Sequence, residues 1–329
     1  MKTNFSISTC TCADLLKGDL EQHNVHYIVM RYILSKKEIG ECYSSTKEID
    51  AFYDLLKNGA FPSTVALSEY EIRDYFFELL NKTEGDIIHV SLSSGLSLTC
   101  GNCMKVAMEI NKTLKGRQIY VVDSLLATCA MAQLVDELII LRDTGKTTLE
   151  ALKRVTELRD HQQSWILIND LFYLKRGGRI GGVKATLSTI FNLKPIIVGT
   201  EKGELAIENE AHGAQSAVNY TLGKMKETGE KANENFFKNT IYLYRTSKSQ
   251  MFDRLKAAIR RRYPDLKIKE GVVGPIVGTH FGCGAAIVVY EGSKKLDMTA
   301  HAGDKSNRFP ISIERIRVDD SEISGIVQL

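Results

Sequence analysis

The chain has 329 residues, a length that suits two ordinary domains or one large domain with appendages. Hydrophobic residues make up 43% and charged residues 25%, a globular balance that excludes disordered and collagen-like classes. Forty-three Lys and Arg against 40 Asp and Glu leave a net charge of +3, too small an excess to point to nucleic acid. No apolar run approaches the roughly eighteen residues that span a bilayer. The opening stretch through Leu16 lacks the apolar core of a secretory leader, so a cytoplasmic protein is expected. Seven cysteines at irregular spacing do not read as a disulfide framework.

In chain order, the run from Val25 to Met30 reads as a strand, and Glu48–Leu56 and Leu67–Leu80 read as helices. The second helix has Ser68 followed three residues later by Glu71, the spacing of a capping box. A buried strand, Ile87–Leu92, runs into Ser93-Ser94-Gly95-Leu96-Ser97 and then a helix from about Thr99 to Leu114. Ile119–Val122 is the next strand, stopped by Asp123-Ser124, and Leu125–Leu141 the next helix. Thr147 and Glu150 form another capping-box pair ahead of a helix ending near Arg159, and Trp165–Ile168 is a strand. Short apolar strands alternating with helices predict an α/β domain with a parallel sheet flanked by helices. Ligands of such sheets gather at the carboxyl edge, which here carries the Ser93–Ser97 turn and Asp123-Ser124. The loop holding Pro62-Ser63-Thr64 can reach the same edge.

The texture changes after Asp170, where Leu174–Gly182 packs four glycines and three cations into nine residues. Strands are expected at Ile196–Val198, Leu205–Ile207 and Thr240–Tyr244, and helices at His212 to about Lys226 and Lys248–Arg262. Val272–Val289 reads as two strands around a glycine-rich turn. The expected division is an N-terminal α/β domain over 1–169, a second α/β lobe over 170–290 and a C-terminal extension over 291–329. The weak alternation of Ile311, Ile313, Ile316 and Val318 in that extension suggests an edge strand.

Taken singly, the polar residues admit plain readings. The Ser93–Ser97 turn is a design for anions, since free N–H groups and the hydroxyls of Ser94 and Ser97 can donate, yet Ser97 can equally just cap a helix. Arg179 after a Gly-Gly pair can fork onto a carboxylate or sit in a basic surface turn. His280, followed by small residues, is a hydrogen-bond donor or a turn residue. Cys100 and Cys103 form a CxxC at a helix start, where the dipole can lower a thiol pKa, so a thiol redox or sensor role is the alternative function. Zinc would need two further ligands at disciplined spacing, and no metal or other cofactor is expected. No P-loop, HExxH or GxSxG is present.

Together these pieces resemble the DegV family of bacterial fatty-acid-binding proteins. The resemblance rests on Thr64 after Pro62, the Ser93–Ser97 turn, Val121-Val122-Asp123-Ser124, Tyr173–Ile180 with its Gly-Gly-Arg-Ile block, Leu193–Ile197, and His280 followed by Gly282 and Gly284, over roughly residues 5 to 290. It implies a two-domain DegV-like fold with one long-chain fatty acid buried between the lobes. Thr64 and Ser97 would hold the carboxylate, with Arg179 and His280 in the same polar network. Ser94, Cys10, Cys100, Phe172, Ile190 and Phe191 would line the mouth or tunnel, as would Leu187. It further implies a protein that is not an enzyme but presents the acid to a separate fatty acid kinase for acyl-phosphate formation in phospholipid metabolism. The chain departs from the family pattern in three places. Cys10-Thr11-Cys12-Ala13-Asp14-Leu15 stands where Asp-Ser-Thr/Ala-x-Asp-Leu is usual, Val65-Ala66-Leu67 follows Thr64, and Leu98-Thr99-Cys100 follows Ser97.

Overall fold

The computed structural model describes residues 5–180 and 192–295. The first part of the chain builds β1 (Phe5–Cys10), α1 (Lys17–Gln22), β2 (Val25–Ile28), β3 (Arg31–Leu34), β4 (Lys37–Gly40), α2 (Thr46–Lys57), β5 (Ser63–Val65), α3 (Glu69–Lys82), β6 (Asp86–Ser91), α4 (Thr99–Asn111), β7 (Ile119–Asp123), α5 (Cys129–Asp143) and α6 (Thr148–His161). The second part builds β8 (Gln162–Leu167), α7 (Phe172–Gly177), β9 (Leu193–Gly199), β10 (Leu205–His212), α8 (Ala214–Lys224), β11 (Thr240–Arg245), α9 (Gln250–Arg262), β12 (Lys267–Val272), α10 (Pro275–Phe281) and β13 (Ala286–Glu291).

Among the described residues the strands make three sheets. The first, ordered β2-β1-β6-β7, is parallel throughout, as the strand–helix alternation predicts. The second has six strands in the order β10-β9-β8-β13-β11-β12 and is antiparallel apart from the β11–β12 pair. A small antiparallel sheet, β4-β3-β5, carries Thr64 opposite Tyr32. Both capping boxes form: Ser68 Oγ accepts from the Glu71 N–H at 3.3 Å, and Thr147 Oγ1 accepts from that of Glu150 at 3.3 Å.

Alternation along the strands of the six-stranded sheet explains how the two sheets become one body. Ile166, Tyr242, Tyr244, Ile287 and Val289 join the core that also holds Phe5, Ile7, Ile88 and Val122 of the parallel sheet. Their neighbours Trp165, Leu167, Ile241, Leu243 and Val288 point the other way into a second core with Val218 of α8 and Leu255 and Ile259 of α9. Helix α5 packs against β1 and β6 on one side and β11 and β13 on the other, so both sheets share it. The strand expected at Trp165–Ile168 precedes the expected 169/170 boundary, yet β8 is hydrogen-bonded within the six-stranded sheet.

Two other expectations need correction. Helix α5 starts at Cys129 rather than Leu125, because Asp123 Oδ1 and Ser124 Oγ capture the N–H groups of Leu125 and Leu126, at 3.0 and 3.3 Å, outside the helix. Val272–Val289 is not a pair of strands. A helix, α10, opens there with Pro275 at its first position, a place where the missing N–H costs no hydrogen bond. The suggested edge strand at Ile311–Val318 lies outside the described residues. No described helix is long and apolar enough to cross a membrane.

Charged bonds also join the lobes. Arg245 of β11 donates to both carboxylate oxygens of Asp50 on α2, at 2.6 and 3.0 Å. Arg154 of α6 grips Glu291 of β13 in the same two-pronged way, at 2.7 and 2.9 Å. Removing one partner leaves a largely buried guanidinium without its counter-charge. Asp50→Ala is therefore expected to cost about 2 kcal/mol of stability, read as a lower urea midpoint at unchanged slope. An unchanged midpoint would show that this pair does not hold the lobes.

Candidate functional site

The carboxyl edge of the parallel sheet is organised by Asp123, whose Oδ1 accepts from the backbone N–H groups of Ser94, at 3.2 Å, and Leu125, at 3.0 Å. One carboxylate thus ties together the loops that follow β6 and β7. Ser93 anchors the first of these to the other lobe by donating to the Gly203 carbonyl at 2.7 Å. Gly95 is required there, because a Cβ would come within 2.5 Å of that same carbonyl oxygen. Ser97 closes the turn, with its N–H on the Ser93 carbonyl at 3.1 Å and its hydroxyl on Thr99 Oγ1 at 3.1 Å. Thr99 Oγ1 in turn accepts from the Leu67 N–H at 3.3 Å, and Asn102 Nδ2 donates to the Leu67 carbonyl at 2.8 Å. The start of α4 is therefore stitched to the segment that follows β5.

Thr64, on β5, meets a residue 216 positions away, with its Oγ1 3.1 Å from Nε2 of His280. His280 occupies the last turn of α10, not the turn that the sequence pattern suggests. Its Nδ1 is buried without a hydrogen-bond partner among the described residues and lies against Gly177, where a Cβ would approach to 2.1 Å. Burial, with the charges of Arg179 and Arg176 adding to it, pushes the imidazole down to about 4, so it is neutral at ordinary pH. Arg179 follows α7, with Nη1 on the Gly177 carbonyl and Nε 3.4 Å from the carbonyl of Leu96, the residue before Ser97. The fold thus links four separate stretches of chain, with Thr64 on His280, Gly177 between His280 and Arg179, and Arg179 on the Ser97 turn. The hydroxyl, imidazole and guanidinium groups in this chain of contacts are a donor set suited to an anion.

The other expected residues fall in different surroundings. Ser94 is exposed on the turn, while Cys10 and Cys100 are completely buried. Phe172 is 49% exposed on α7, which suits a rim better than a tunnel wall. Its ring, with those of Phe61 and Tyr173, surrounds the guanidinium of Arg176 at 5.0 to 5.9 Å. Leu187, Ile190 and Phe191 lie outside the described residues. The helix-dipole expectation for Cys100 and Cys103 is overturned: burial pushes both thiols up, because the cost of desolvating a thiolate outweighs a favourable helix end. Among the described residues no cluster of three or more His, Cys, Asp or Glu is arranged to hold a metal ion. Thr99, Gly177 and the Leu96 carbonyl escape a reading of the sequence, and only the closeness of Thr99 to Ser97 hints at its part.

A family model described as an uncharacterised protein of the DegV family matches residues 4–292. The chain belongs to the DegV family. A DegV domain-containing protein of Clostridium perfringens is 25% identical over 291 residues, covering 88% of this chain and 98% of its own. One from Lactococcus lactis is 25% identical over 292 residues, with the same coverage of 88% and 98%. Among solved structures, a DegV family protein of Thermus thermophilus described by its fatty acid binding superposes with a TM-score of 0.74 at 21% identity, covering 88% of this chain and 99% of that one. DegV of Bacillus subtilis, described as a fatty acid binding protein, gives 0.72 at 21% identity with the same coverage of 88% and 99%. These likenesses establish a DegV fold: a parallel sheet flanked by helices beside a second sheet lobe.

The closeness of His280 to Gly177 makes a direct test possible. Gly177→Ala places a methyl group where the imidazole now stands and should displace the ring from Thr64. In isotopically labelled protein, the His280 ring resonances are expected to move and its pKa to rise from about 4 toward the ordinary histidine range. A histidine spectrum identical to wild type would mean that Gly177 does not set the ring.

Proposed function

We propose that this protein binds one long-chain fatty acid, with the acyl tail buried between the lobes and the carboxylate held by Thr64, Ser97, Arg179 and His280. The observation that carries this reading is the Thr64–His280 contact, beside which Arg179 reaches the carbonyl preceding Ser97. Membership in a family whose solved members include proteins described as fatty-acid-binding supports the same conclusion. Each buried methylene contributes about 0.8 kcal/mol, so a sixteen-carbon tail gains roughly 12 kcal/mol before ordering costs. Affinity then comes mainly from the tail, and the polar mouth fixes which end faces out.

In this reading the protein is a carrier without catalysis of its own, and it presents the carboxylate to a separate kinase in the cytoplasm. The one close thiol–imidazole pair described, Cys103 Sγ at 3.7 Å from His89 Nε2, is poorly suited to nucleophilic work. Burial raises the thiol and drops His89 to about 3, the reverse of an activated pair. The redox alternative at Cys100 and Cys103 meets the same objection, since both thiols are buried and protonated.

Native mass spectrometry of protein purified without added lipid is expected to show one bound long-chain acid. Ser97→Ala and Arg179→Ala should each lower the fraction retained, by about tenfold in affinity, the usual effect of removing one hydrogen bond to a charged group. If both variants carry as much lipid as wild type, the carboxylate sits elsewhere. His280 supplies a pH signature. A carboxylate arriving beside the imidazole raises its pKa above about 4, so binding takes up a proton and tightens as pH falls from neutral toward that value. His280→Gln should lose this extra tightening, measured as the difference between the two proteins so that ionisation of the ligand itself cancels.

A further inference from the structure

We propose that Asp14 and Glu41 are positioning residues for the carboxylate-binding mouth, seating the first turn of α10 and thereby fixing where its last turn holds His280. This rests on the proposed role of His280, but its first readout does not depend on lipid.

Two buried carboxylates converge on one backbone point. A Cβ on Gly274, the residue that caps α10, would come within 2.4 Å of Glu41 Oε1 and 2.7 Å of Asp14 Oδ1. Glu41 Oε1 accepts from the Ile276 N–H at 2.8 Å, across 235 residues of chain. Asp14 is held in place by its own backbone, at a left-handed φ of 53° after the short turn Thr11–Ala13, with its N–H on the Thr11 carbonyl at 3.0 Å. The carboxylates border a cavity lined also by Thr11, Lys17, Tyr43 and Gly274. Neither Asp14 oxygen nor Glu41 Oε2 has a hydrogen-bond partner of good geometry among the described residues.

Helix geometry carries the effect to the mouth. Ile276 and His280 are four residues apart, one turn and about 6 Å along the axis. The two turns of α10 are bonded to each other, with the Gly278 N–H on the Gly274 carbonyl and the Gly282 N–H on the Gly278 carbonyl, both at 2.8 Å, so a seven-residue helix moves as one piece and a misplaced first turn shifts the last. Tyr53 adds a neutral grip, donating to the Val273 carbonyl at 2.6 Å and packing against Gly278. Glu41 supplies the other grip, and nothing else described bonds the Ile276 N–H.

The titratable groups facing the pair are Cys10 and Cys12 from β1 and the turn after it, Lys17 of α1, Cys42 and Tyr43 beside Glu41, Tyr53 of α2, Cys129 of α5 and Tyr244 of β11. The nearest cation among them, Lys17, already lies 3.7 Å from Glu21. Burial therefore dominates, pushing Glu41 up to about 8 and Asp14 well above the usual carboxylate range. Because the folded value is raised, the associated stability is fully present below the unfolded value near 4.5 and is lost progressively as pH rises from there to about 8. As the last proton leaves, two like charges share one buried corner and the seat of α10 loosens.

The test compares Glu41→Ala, which removes the acceptor, with Glu41→Gln, which keeps an oxygen for the Ile276 N–H but cannot ionise. In lipid-free protein, Glu41→Ala should shift the His280 ring resonances and Glu41→Gln should leave them in place. Palmitate affinity should fall on the order of tenfold in Glu41→Ala and be restored in Glu41→Gln, the loss expected for one buried hydrogen bond. Wild type should lose stability between about pH 5 and 8, and Glu41→Gln should fall less steeply across that window. Should Glu41→Ala fail to fold, Glu41→Asp, whose shorter side chain withdraws the oxygen from the Ile276 N–H, takes its place in the His280 measurement. A folded Glu41→Ala with wild-type His280 resonances, or a Glu41→Gln that keeps the wild-type slope, would overturn the proposal. Moved resonances with unchanged palmitate affinity would instead leave the seat of α10 standing and remove His280 from the binding mouth.

Discussion

The Thr64–His280 contact is the point on which the rest of the architecture turns, because it joins the smallest sheet of one lobe to helix α10 of the other. The two groups that meet there are uncharged and partly buried, with Arg179 supplying the positive charge beside them. A carboxylate drawn out of water needs donors at least as good as those it leaves, and one formal counter-charge. In the proposed binding mode the four side chains meet both needs only while the lobes stay joined. The two-pronged Arg245–Asp50 and Arg154–Glu291 pairs, and the helix α5 shared between sheets, are what keep them so.

Where the sequence signals are local, the fold can be read from them. The capping boxes at Ser68 and Thr147 form as their spacing requires, since every partner lies within three residues. The parallel sheet follows from alternation alone. Helix α10 is hidden because Ile276-Val277-Gly278-Thr279 is a poor helix sequence, rich in branched residues and glycine. Packing against Tyr53 and Tyr173 overrides that propensity: Gly278 and Gly282 stand where the two tyrosine rings leave no room for a side chain. Of the usual signals only Pro275 after Gly274 marks the start. The late beginning of α5 is invisible for a related reason, since a side chain competing for backbone N–H groups leaves no hydrophobic period to detect.

The site is legible in a different way. Read singly, Ser97, Arg179 and His280 each have an ordinary structural explanation, and only their joint resemblance to a family raises them above it. Physics then adds what the resemblance lacks. Ser97 is tied through Thr99 to Leu67, and Gly177 is small because the His280 ring lies on it. Backbone acceptors such as Leu96 leave no mark on a sequence, since any residue can supply a carbonyl.

The departures at Cys10, Cys12 and Cys100 bear on how the molecule handles polarity. All three thiols are fully buried. A thiol behaves as a small hydrophobe with a weak donor, so it demands little in the way of partners. In the usual family pattern Cys10 and Cys12 would be an acid and a hydroxyl or small residue, and the polar ones need hydrogen bonds when dry. Thiols at these positions remove strong hydrogen-bonding groups from the interior, while Thr64, Ser97, Arg179 and His280 keep theirs. The thiols also leave Asp14 and Glu41 as the polar survivors in that corner, with carboxyls that burial holds toward the neutral form. In the proposed binding mode fewer buried donors then compete with those four side chains for an acid headgroup, and its orientation is left to them.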